Sequence, residues 1–398
     1  MLNSLKDELL ERVRKLHRQQ VTWRRDFHQH PELSSREFRT TARLTAIVKK
    51  LGLKLIPIKM KTGLLAELAG NHPGPTVAIR TDIDALPVTE RSGLPFASKV
   101  NGCMHACGHD VHMAIVLGTA AVLSKMKKHI HGRVRFIFQP DEEMPPGGAR
   151  PMIENGAVDG VSAVFGLHVD PMLPAGMIST RDGISMAMVT DFDLVIHGKG
   201  GHAASPHSGV DAIVTAAEVI ESIQKIVSRE ISPTSPIVIH FGRIEGGTGR
   251  NIVADRVTLD GTARALSDTA GRLVPKLIKR TVSGVCRARG ARAEVNIGPG
   301  YPPLRNDPAV NRIFENNYRL LYGRGKIRTT KQVLGAEDFA CYLEKVPGAM
   351  FFLGIRNRKI KADKAWHSSD FIADERAIEY GTALLASSAL DYLAGDQR

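Results

Sequence analysis

Three histidines, one cysteine and one aspartate fall within nine consecutive residues, 104–112. Thiolate, imidazole and carboxylate groups are the ligands of zinc sites, and Gly108 between Cys107 and His109 permits a tight turn. The spacing is neither that of a zinc finger nor that of the His-Glu-x-x-His helix of metalloproteases. From the residue types alone, a metal site and a solvated polar loop before a helix at Ala114 are both open interpretations.

Two adjacent glutamates, Glu142 and Glu143, come shortly after the apolar segment 134–138. Acidic residues at the carboxyl end of a parallel strand lie where α/β sheets place their sites. Adjacent carboxylates can divide the chemistry, because one can bind a metal while the other acts as a base. An acidic, solvated loop is the alternative.

Polar residues also occur in three other places. Asp82 follows the apolar segment 76–79, His168 lies at the end of the segment 161–169, and His367 lies near the C-terminus. Each histidine by itself is typical of a structural or solvated side chain. Because several of these positions follow predicted strands of one sheet, together they favour a shared site.

The elements that would position these residues alternate along the chain. Apolar segments 76–79, 134–138 and 161–169 predict strands, the last broken by Gly166, and residues 114–123 predict a helix. The opening stretch to about residue 50 also predicts helix. Strands that alternate with helices indicate a largely parallel α/β sheet.

The pattern changes near Met186. Polar–apolar alternation at 191–197 predicts a half-exposed strand, and residues 211–229 predict an amphipathic helix. Further strands are predicted at 237–241, 256–264 and 293–297, with a helix between the last two. We therefore expect an inserted α+β domain at 186–299, within a discontinuous α/β domain formed by residues 1–185 and 300–398.

The chain has 398 residues and a net charge of +13, with an ordinary globular composition of 43% hydrophobic and 24% charged residues. Residues 1–61 hold 15 basic and 6 acidic side chains, and residues 271–292 hold 7 basic and none acidic, which leaves the remainder slightly acidic. No aromatic residue interrupts 271–292, so platforms for base stacking are missing there. We expect no nucleic-acid partner; a non-catalytic anion- or nucleic-acid-binding protein is the alternative from another functional class.

Four cysteines are too few for a disulfide framework in a chain of this length. The first residues lack the apolar core of a signal peptide, and no uncharged run approaches the roughly 18 apolar residues of a membrane span. We expect a cytoplasmic protein without a membrane partner.

These motifs resemble the zinc-dependent aminoacylase/carboxypeptidase metallopeptidase family, in its amidohydrolase branch of hippurate hydrolases, N-acyl-amino-acid amidohydrolases and auxin-conjugate hydrolases. The matching segments extend nearly from end to end: 24–37 (RRDFHQHPELSSRE), 79–90 (IRTDIDALPVTE), 104–112, 139–143, 198–213 (GKGGHAASPHSGVDAI), 246–264 and 335–339 (GAEDF).

The resemblance implies a catalytic α/β domain that binds two divalent metal ions. Zinc is the expected metal, and manganese, nickel and cobalt are the alternatives. Its metal ligands would be Cys107, His109, Glu143, His168 and His367. Glu142 would be the general base. The wider family has an early ligand in a His-x-Asp motif; here that place reads Arg-Thr-Asp, so Asp82 is expected to support the ligands rather than to bind metal.

The resemblance also makes the inserted domain a lid that forms a homodimer, with a tetramer as a further possibility. His202 would stabilise an oxyanion in the partner subunit's site, while Asn251 and Arg264 would bind the substrate carboxylate. From the residues alone, a glycine turn around His202, a turn residue at 251 and a solvated strand end at 264 are the alternatives.

The implied function is metal-dependent hydrolysis of the amide bond of N-acyl amino acids, to a carboxylic acid and a free amino acid. A dipeptidase or carboxypeptidase, or an N-acetyl-diaminopimelate deacetylase of the same family, is the alternative, since the acyl pocket is built outside these motifs.

Overall fold

The structure is a computed structural model that describes residues 3–395. The helices of this part are α1 (Asn3–Gln29), α2 (Phe38–Lys50), α3 (His109–Ser124), α4 (Ala149–Glu154), α5 (Ala212–Arg229), α6 (Asp268–Ala288), α7 (Pro308–Tyr322), α8 (Ala340–Leu343) and α9 (Ala377–Ala394). The strands are β1 (Lys54–Ile56), β2 (Leu64–Ala69), β3 (His72–Asp82), β4 (His131–Gln139), β5 (Ala163–Pro174), β6 (Ile178–Thr180), β7 (Gly183–Met186), β8 (Met188–His197), β9 (Gly201–His202), β10 (Ile237–Gly246), β11 (Ile252–Val253), β12 (Arg256–Ala265), β13 (Arg292–Ile297), β14 (Leu304–Asn306), β15 (Ile327–Thr329) and β16 (Gly348–Arg356).

The chain forms two compact units. The first comprises the described residues up to 183, residues 305–331 and those from 341 onward; the second comprises residues 184–304 and 332–340. The predicted domain boundaries at 186–299 stay a prediction. Among the described residues, no helix is both long and apolar enough to cross a bilayer.

An eight-stranded mixed sheet forms the centre of the first unit, in the order β1-β2-β4-β3-β5-β16-β6-β15. Strands β4, β3, β5 and β16 run parallel to one another. Their central residues are almost all buried, as expected where both faces of a parallel sheet are covered. Their carboxyl ends therefore meet at one edge, where Asp82 pairs in register with Gln139.

Helix α3 packs against α1 and α9. Every residue from its first, His109, to Leu123 is buried. Because apolar residues surround the helix on all sides, its position is fixed by packing all round rather than by one apolar stripe. This gives the first turn of α3 a rigid support next to the sheet edge.

The second unit contains a four-stranded antiparallel sheet, in the order β10-β12-β8-β13, against which α5 and α6 pack. Phe192, Leu194 and Ile196 alternate along β8 and are buried in the core of this unit. The predicted strand at 191–197 is confirmed. Asp211 begins α5 by accepting hydrogen bonds from the backbone N–H groups of Ile213 and Val214.

The predicted α/β fold class is confirmed, with two local corrections. The opening stretch is two helices rather than one, since α1 ends at Gln29 before Pro31 and α2 begins at Phe38. Gly166 does not break its strand: β5 passes through it and keeps parallel pairing with β16, where Gly166 faces Met350.

Candidate metal centre

The carboxyl edge of the large sheet gathers the polar side chains predicted in this unit. Asp82 ends β3, Glu142 and Glu143 follow β4, and His168 belongs to β5. Gly108 caps α3 with a left-handed φ of +91°, and a Cβ atom there would lie 2.5 Å from Val169 Cγ2. Only glycine fits this close approach, which brings the flanking Cys107 and His109 onto β5.

Two triads of potential metal ligands share Cys107. One contains Cys107, His109 and His168, and the other contains Cys107, Glu143 and His367; within each triad the ligand atoms lie within 4.8 Å of one another. His109 also forms such groups with Glu142 and Glu143, and with Asp82 and His112. The structure thus brings together the five residues predicted as ligands and the glutamate predicted as base.

Two atoms at the centre of this cluster test whether it suits a cation. Nε2 of His109 and Oε1 of Glu143 are buried without a hydrogen-bond partner. His168 donates from Nδ1 to the carbonyl oxygen of Val169 (2.8 Å), so its Nε2 faces Cys107 Sγ at 3.4 Å. Buried polar atoms without a partner are costly, and nitrogen, sulfur and carboxylate donors of this kind suit zinc-like ions. The residues present fit a bound metal.

The charges of the cluster are unbalanced. Burial disfavours the charged form of His109. The negative charges of Asp82 and Asp84 outweigh this effect and raise the pKa of His109 to about 10. Burial and then the neighbouring Glu143 and Glu142 raise the pKa of the Cys107 thiol well above its usual range. A bound cation would reverse the effect on Cys107, because it would favour the thiolate.

His367 occupies a strained position. It has a left-handed φ of +64°, which a non-glycine residue rarely adopts, and its backbone N–H donates to the carbonyl oxygen of Ala106 over 2.9 Å. Its Nε2 lies 3.5 Å from Glu143 Oε1, and its side chain is 54% exposed. Such strain is found where a side chain is held for a function.

Sequence reasoning assigned no role to Asp84, which supports two members of the cluster. His109 Nδ1 lies 2.9 Å from the Asp84 carbonyl oxygen and 3.2 Å from its Oδ1. The Asp84 Oδ2 accepts the backbone N–H of Glu143 at 2.9 Å. The signal was present, since Asp84 lies two residues after Asp82 at the same strand end.

The second unit holds the other predicted residues. His202 in β9 pairs with Ile252 in β11, and Asn251 accepts the backbone N–H of Ala203 through its carbonyl oxygen, so His202 and Asn251 are close in space. His202 Nδ1 accepts the N–H of Ala204 at 3.0 Å, which leaves the proton on Nε2. Arg264 in β12 donates to the carbonyl oxygen of Leu334 at 3.2 Å.

Comparison with known proteins agrees with this geometry. Residues 78–391 match the model of peptidase family M20/M25/M40. N-acetylcysteine deacetylase of Bacillus subtilis is 40% identical over 94% of this chain and 97% of its own, and thermostable carboxypeptidase 2 of Saccharolobus solfataricus is 41% identical over 93% and 94%. The crystal structure of the Bacillus subtilis YXEP protein, described as a dinuclear metal binding peptidase from M20 family, is 36% identical, covers 96% of this chain and 99% of that one, and has a TM-score of 0.83.

The family model covers well over half of the chain, and the relatives match it nearly from end to end. The predicted family and the predicted hydrolase activity on amide bonds are confirmed, and the non-catalytic alternative is set aside. The protein belongs to peptidase family M20/M25/M40 and is a hydrolase of that family.

Proposed function

We propose that the protein is a metal-dependent amidohydrolase that cleaves N-acyl amino acids to a carboxylic acid and a free amino acid. The observation that carries this proposal is the pair of ligand triads that share Cys107. Support comes from the relative named N-acetylcysteine deacetylase and from the solved relative described as a dinuclear metal binding peptidase.

We assign Cys107, His109, Glu143, His168 and His367 as the ligands of two divalent ions, with zinc as the first candidate and manganese, nickel or cobalt as alternatives. When bound, such ions would polarise the substrate carbonyl and lower the pKa of a water molecule. The sharing of Cys107 between the triads supports two adjacent ions rather than one.

We assign Glu142 as the general base. Its Oε2 lies 4.0 Å from His109 Nε2, and its side chain is 10% exposed, so it borders the cluster and is reachable from solvent. The carboxylate would take a proton from the attacking water and then deliver it to the nitrogen of the leaving amine. The same group can serve both steps because the two proton transfers are sequential.

We assign three residues of the second unit to the substrate. His202 carries its proton on Nε2, as a donor to a developing oxyanion requires. Asn251 and Arg264 would bind the carboxylate of the amino-acid product, for which a guanidinium offers a paired set of donors. Exposure of His202 and Asn251 supports their access to substrate.

We further propose a homodimer formed through the second unit. Strand β10 lies at an edge of its sheet and exposes the large apolar side chains of Val238 and Ile244. An edge strand of this kind offers unpaired backbone groups to a second copy. The four cysteines are free thiols in buried positions, which supports a reducing, cytoplasmic location.

A substrate panel with defined metal content tests the function. Metal-free protein should be inactive and should regain hydrolysis of hippurate or N-acetyl amino acids when about two equivalents of Zn²⁺, Mn²⁺, Ni²⁺ or Co²⁺ are added. The panel should include N-acetyl-diaminopimelate and dipeptides, compared by kcat/KM. Peptides are the second candidate substrate class because one relative is named a carboxypeptidase. Equal activity of metal-free and reconstituted protein would contradict the proposal.

A further inference from the structure

The loop that carries Glu142 and Glu143 begins at a strained residue. Asp141 has a left-handed φ of +62°, and Ser35, between α1 and α2, has the same φ. The two residues are joined, since Ser35 Oγ donates to Asp141 Oδ2 over 2.9 Å. Left-handed backbone costs a non-glycine residue about 1 kcal/mol or more, so something must hold both in place.

The carboxylate of Glu37 holds both backbones. Its Oε1 accepts the N–H of Ser35 at 3.0 Å and the N–H of Asp141 at 2.9 Å. The Glu37 side chain is fully buried. One oxygen therefore gathers the N–H groups of two left-handed residues that lie about a hundred positions apart in sequence.

Support of helix α2 does not explain Glu37. It precedes the first residue of α2 but makes no side-chain hydrogen bond to that helix. Glu32 supports α2 instead, since its carboxylate accepts the N–H of Arg39 at 3.0 Å and of Thr40 at 2.7 Å. Two glutamates of one segment thus each bind two backbone N–H groups. Those bound by Glu32 belong to helix α2, whereas those bound by Glu37 belong to Ser35 and to Asp141 at the start of the loop.

The position of Glu37 is costly for a carboxylate. Burial, with the nearby charge of Asp84, raises its pKa to about 7. An ionisable group buried at this cost, and not used by the adjacent helix, points to a purpose in the loop it binds. The loop itself is closed by the N–H of Gly148, which donates to the carbonyl oxygen of Asp141 at 2.8 Å.

We propose that Glu37 is a positioning residue of the hydrolase. By holding Asp141 in its left-handed conformation, it sets the path of the backbone after strand β4 and therefore the positions of Glu142 and Glu143. The proposal rests on the proposed roles of those two glutamates. Glu37 would act on them through the backbone N–H of Asp141.

Five single variants separate this role from simple stabilisation. Glu37→Gln keeps an oxygen acceptor at the same place, while Glu37→Ala removes it. Glu32→Gln is the matched control, because Glu32 lies in the same segment and binds two N–H groups of α2 instead. Since Glu37→Ala could fail to fold, Asp141→Val and Asp141→Gly test the same geometry with Glu37 intact, as valine disfavours left-handed backbone and glycine accepts it.

Hydrogen exchange of residues 139–148 in metal-free protein is the first readout, and kcat and KM of reconstituted enzyme are the second. We expect faster exchange of this loop in Glu37→Ala and Asp141→Val, and a fall in kcat of about tenfold to a hundredfold with little change in KM. Glu37→Gln, Asp141→Gly and Glu32→Gln should stay near wild type in both. Adding Asp141→Gly to Glu37→Ala should restore part of the lost kcat.

The proposal is overturned if folded Glu37→Ala keeps wild-type exchange in the loop, or if its loop loosens and kcat does not fall. It is also overturned if Asp141→Val behaves like Asp141→Gly. If the wild type hydrolysed no substrate of the panel, the proposed function would fail. Faster exchange of the loop in Glu37→Ala, but not in Glu32→Gln, would still show that Glu37 holds Asp141 in place.

Discussion

His112 donates from Nδ1 to Oδ1 of Asp82 over 2.7 Å, and both side chains are fully buried. The other ring nitrogen of His112, Nε2, accepts the backbone N–H of Val169 at 2.9 Å. Asp82 in turn accepts from Arg80 at 2.8 Å. A single imidazole therefore ties the end of β3 to β5 beside His168. That Asp82 supports the ligands rather than binding metal stays a proposal, for which these bonds are the support.

Loss of this tie should weaken the metal centre. Burial, only partly offset by Asp82, lowers the pKa of His112 to about 4, so it acts as a neutral ring with one donor and one acceptor. His112→Phe keeps the ring but removes both bonds, and we expect metal affinity or kcat to fall about tenfold to a hundredfold. Competition with a chelator and steady-state kinetics would measure this.

His72→Phe is a suitable control for that substitution, because His72 is exposed at the start of β3. Its ring bonds to the carbonyl oxygen of Lys128 and stacks on His131, neither of which is a proposed ligand. This control substitution should leave both quantities unchanged. Wild-type metal affinity and kcat in His112→Phe would show that the tie has no role in the centre.

The sequence was informative where chemistry follows local pattern. Cys107 and His109 could be recognised because they flank a glycine before a helix, and Glu142 and Glu143 because they follow a strand. The carboxyl ends of parallel strands meet at one edge, so residue type and strand position together predicted which side chains converge. The isolated His168 and His367 were assigned by family resemblance, since a lone histidine carries no local signal.

Two further supports of the site, Glu37 and His112, could not be predicted from local pattern. Glu37 and Asp141 are joined across more than a hundred residues, and His112 depends on the backbone of Val169 rather than on any side-chain type. Such hydrogen bonds form only when distant segments pack together, so the periodicity and spacing of residues in the sequence do not predict them. The break between α1 and α2 was missed for a simpler reason, since helical spacing continues in α2 beyond Pro31.

Neighbouring arginines of α1 should differ strongly in their contribution to stability. Arg24 is 1% exposed and binds Asp110 at 2.7 Å and Glu375 at 3.1 Å, whereas Arg25 is 46% exposed and binds Glu375 at 2.7 Å. Arg24→Ala removes the guanidinium from the buried carboxylate of Asp110, which keeps only its contact with His28 among the ion pairs described for it, so we expect a loss of about 3 kcal/mol in the free energy of unfolding.

Arg25→Ala is the matched control for this pair. It removes an exposed partner of the same Glu375 and should cost about 1 kcal/mol or less. Urea unfolding of both variants at neutral pH measures the difference. Equal losses in the two variants would mean that burial of Arg24 adds nothing to its ion pairs.

The raised pKa of Glu37 predicts how stability depends on pH. The folded state binds the proton of Glu37 more tightly than the unfolded chain, since its pKa is about 7 against 4.5. Its contribution is therefore favourable below pH 4.5 and is lost as pH rises through 7. The glutamine of Glu37→Gln does not titrate, so this variant escapes that loss. The difference in the free energy of unfolding between the variant and the wild type should therefore shift by roughly 3 kcal/mol in favour of the variant from pH 4 to pH 8. Unfolding free energies of the two proteins that run parallel across this range would contradict the assignment.

Replacement of the proposed base should separate catalysis from metal binding. Glu142→Gln keeps the size of the side chain but cannot accept the proton of the attacking water. We expect turnover of the best panel substrate to fall by about 10²-fold or more. Metal content measured by elemental analysis should remain that of the wild type, because Glu142 is not among the proposed ligands. Near-wild-type hydrolysis by this variant would rule out Glu142 as the base.

Mixed dimers test whether His202 acts in the site of the other subunit. Glu142→Gln and His202→Ala should each be nearly inactive alone, since one lacks the base and the other the proposed oxyanion donor. In a heterodimer, one of the two sites would combine an intact Glu142 from one subunit with an intact His202 from the other. Statistical mixing places half of the subunits in heterodimers, so about a quarter of wild-type activity should return if each site acts independently. Two separable affinity tags would verify subunit exchange. No recovery in verified heterodimers would show that His202 serves its own subunit or none.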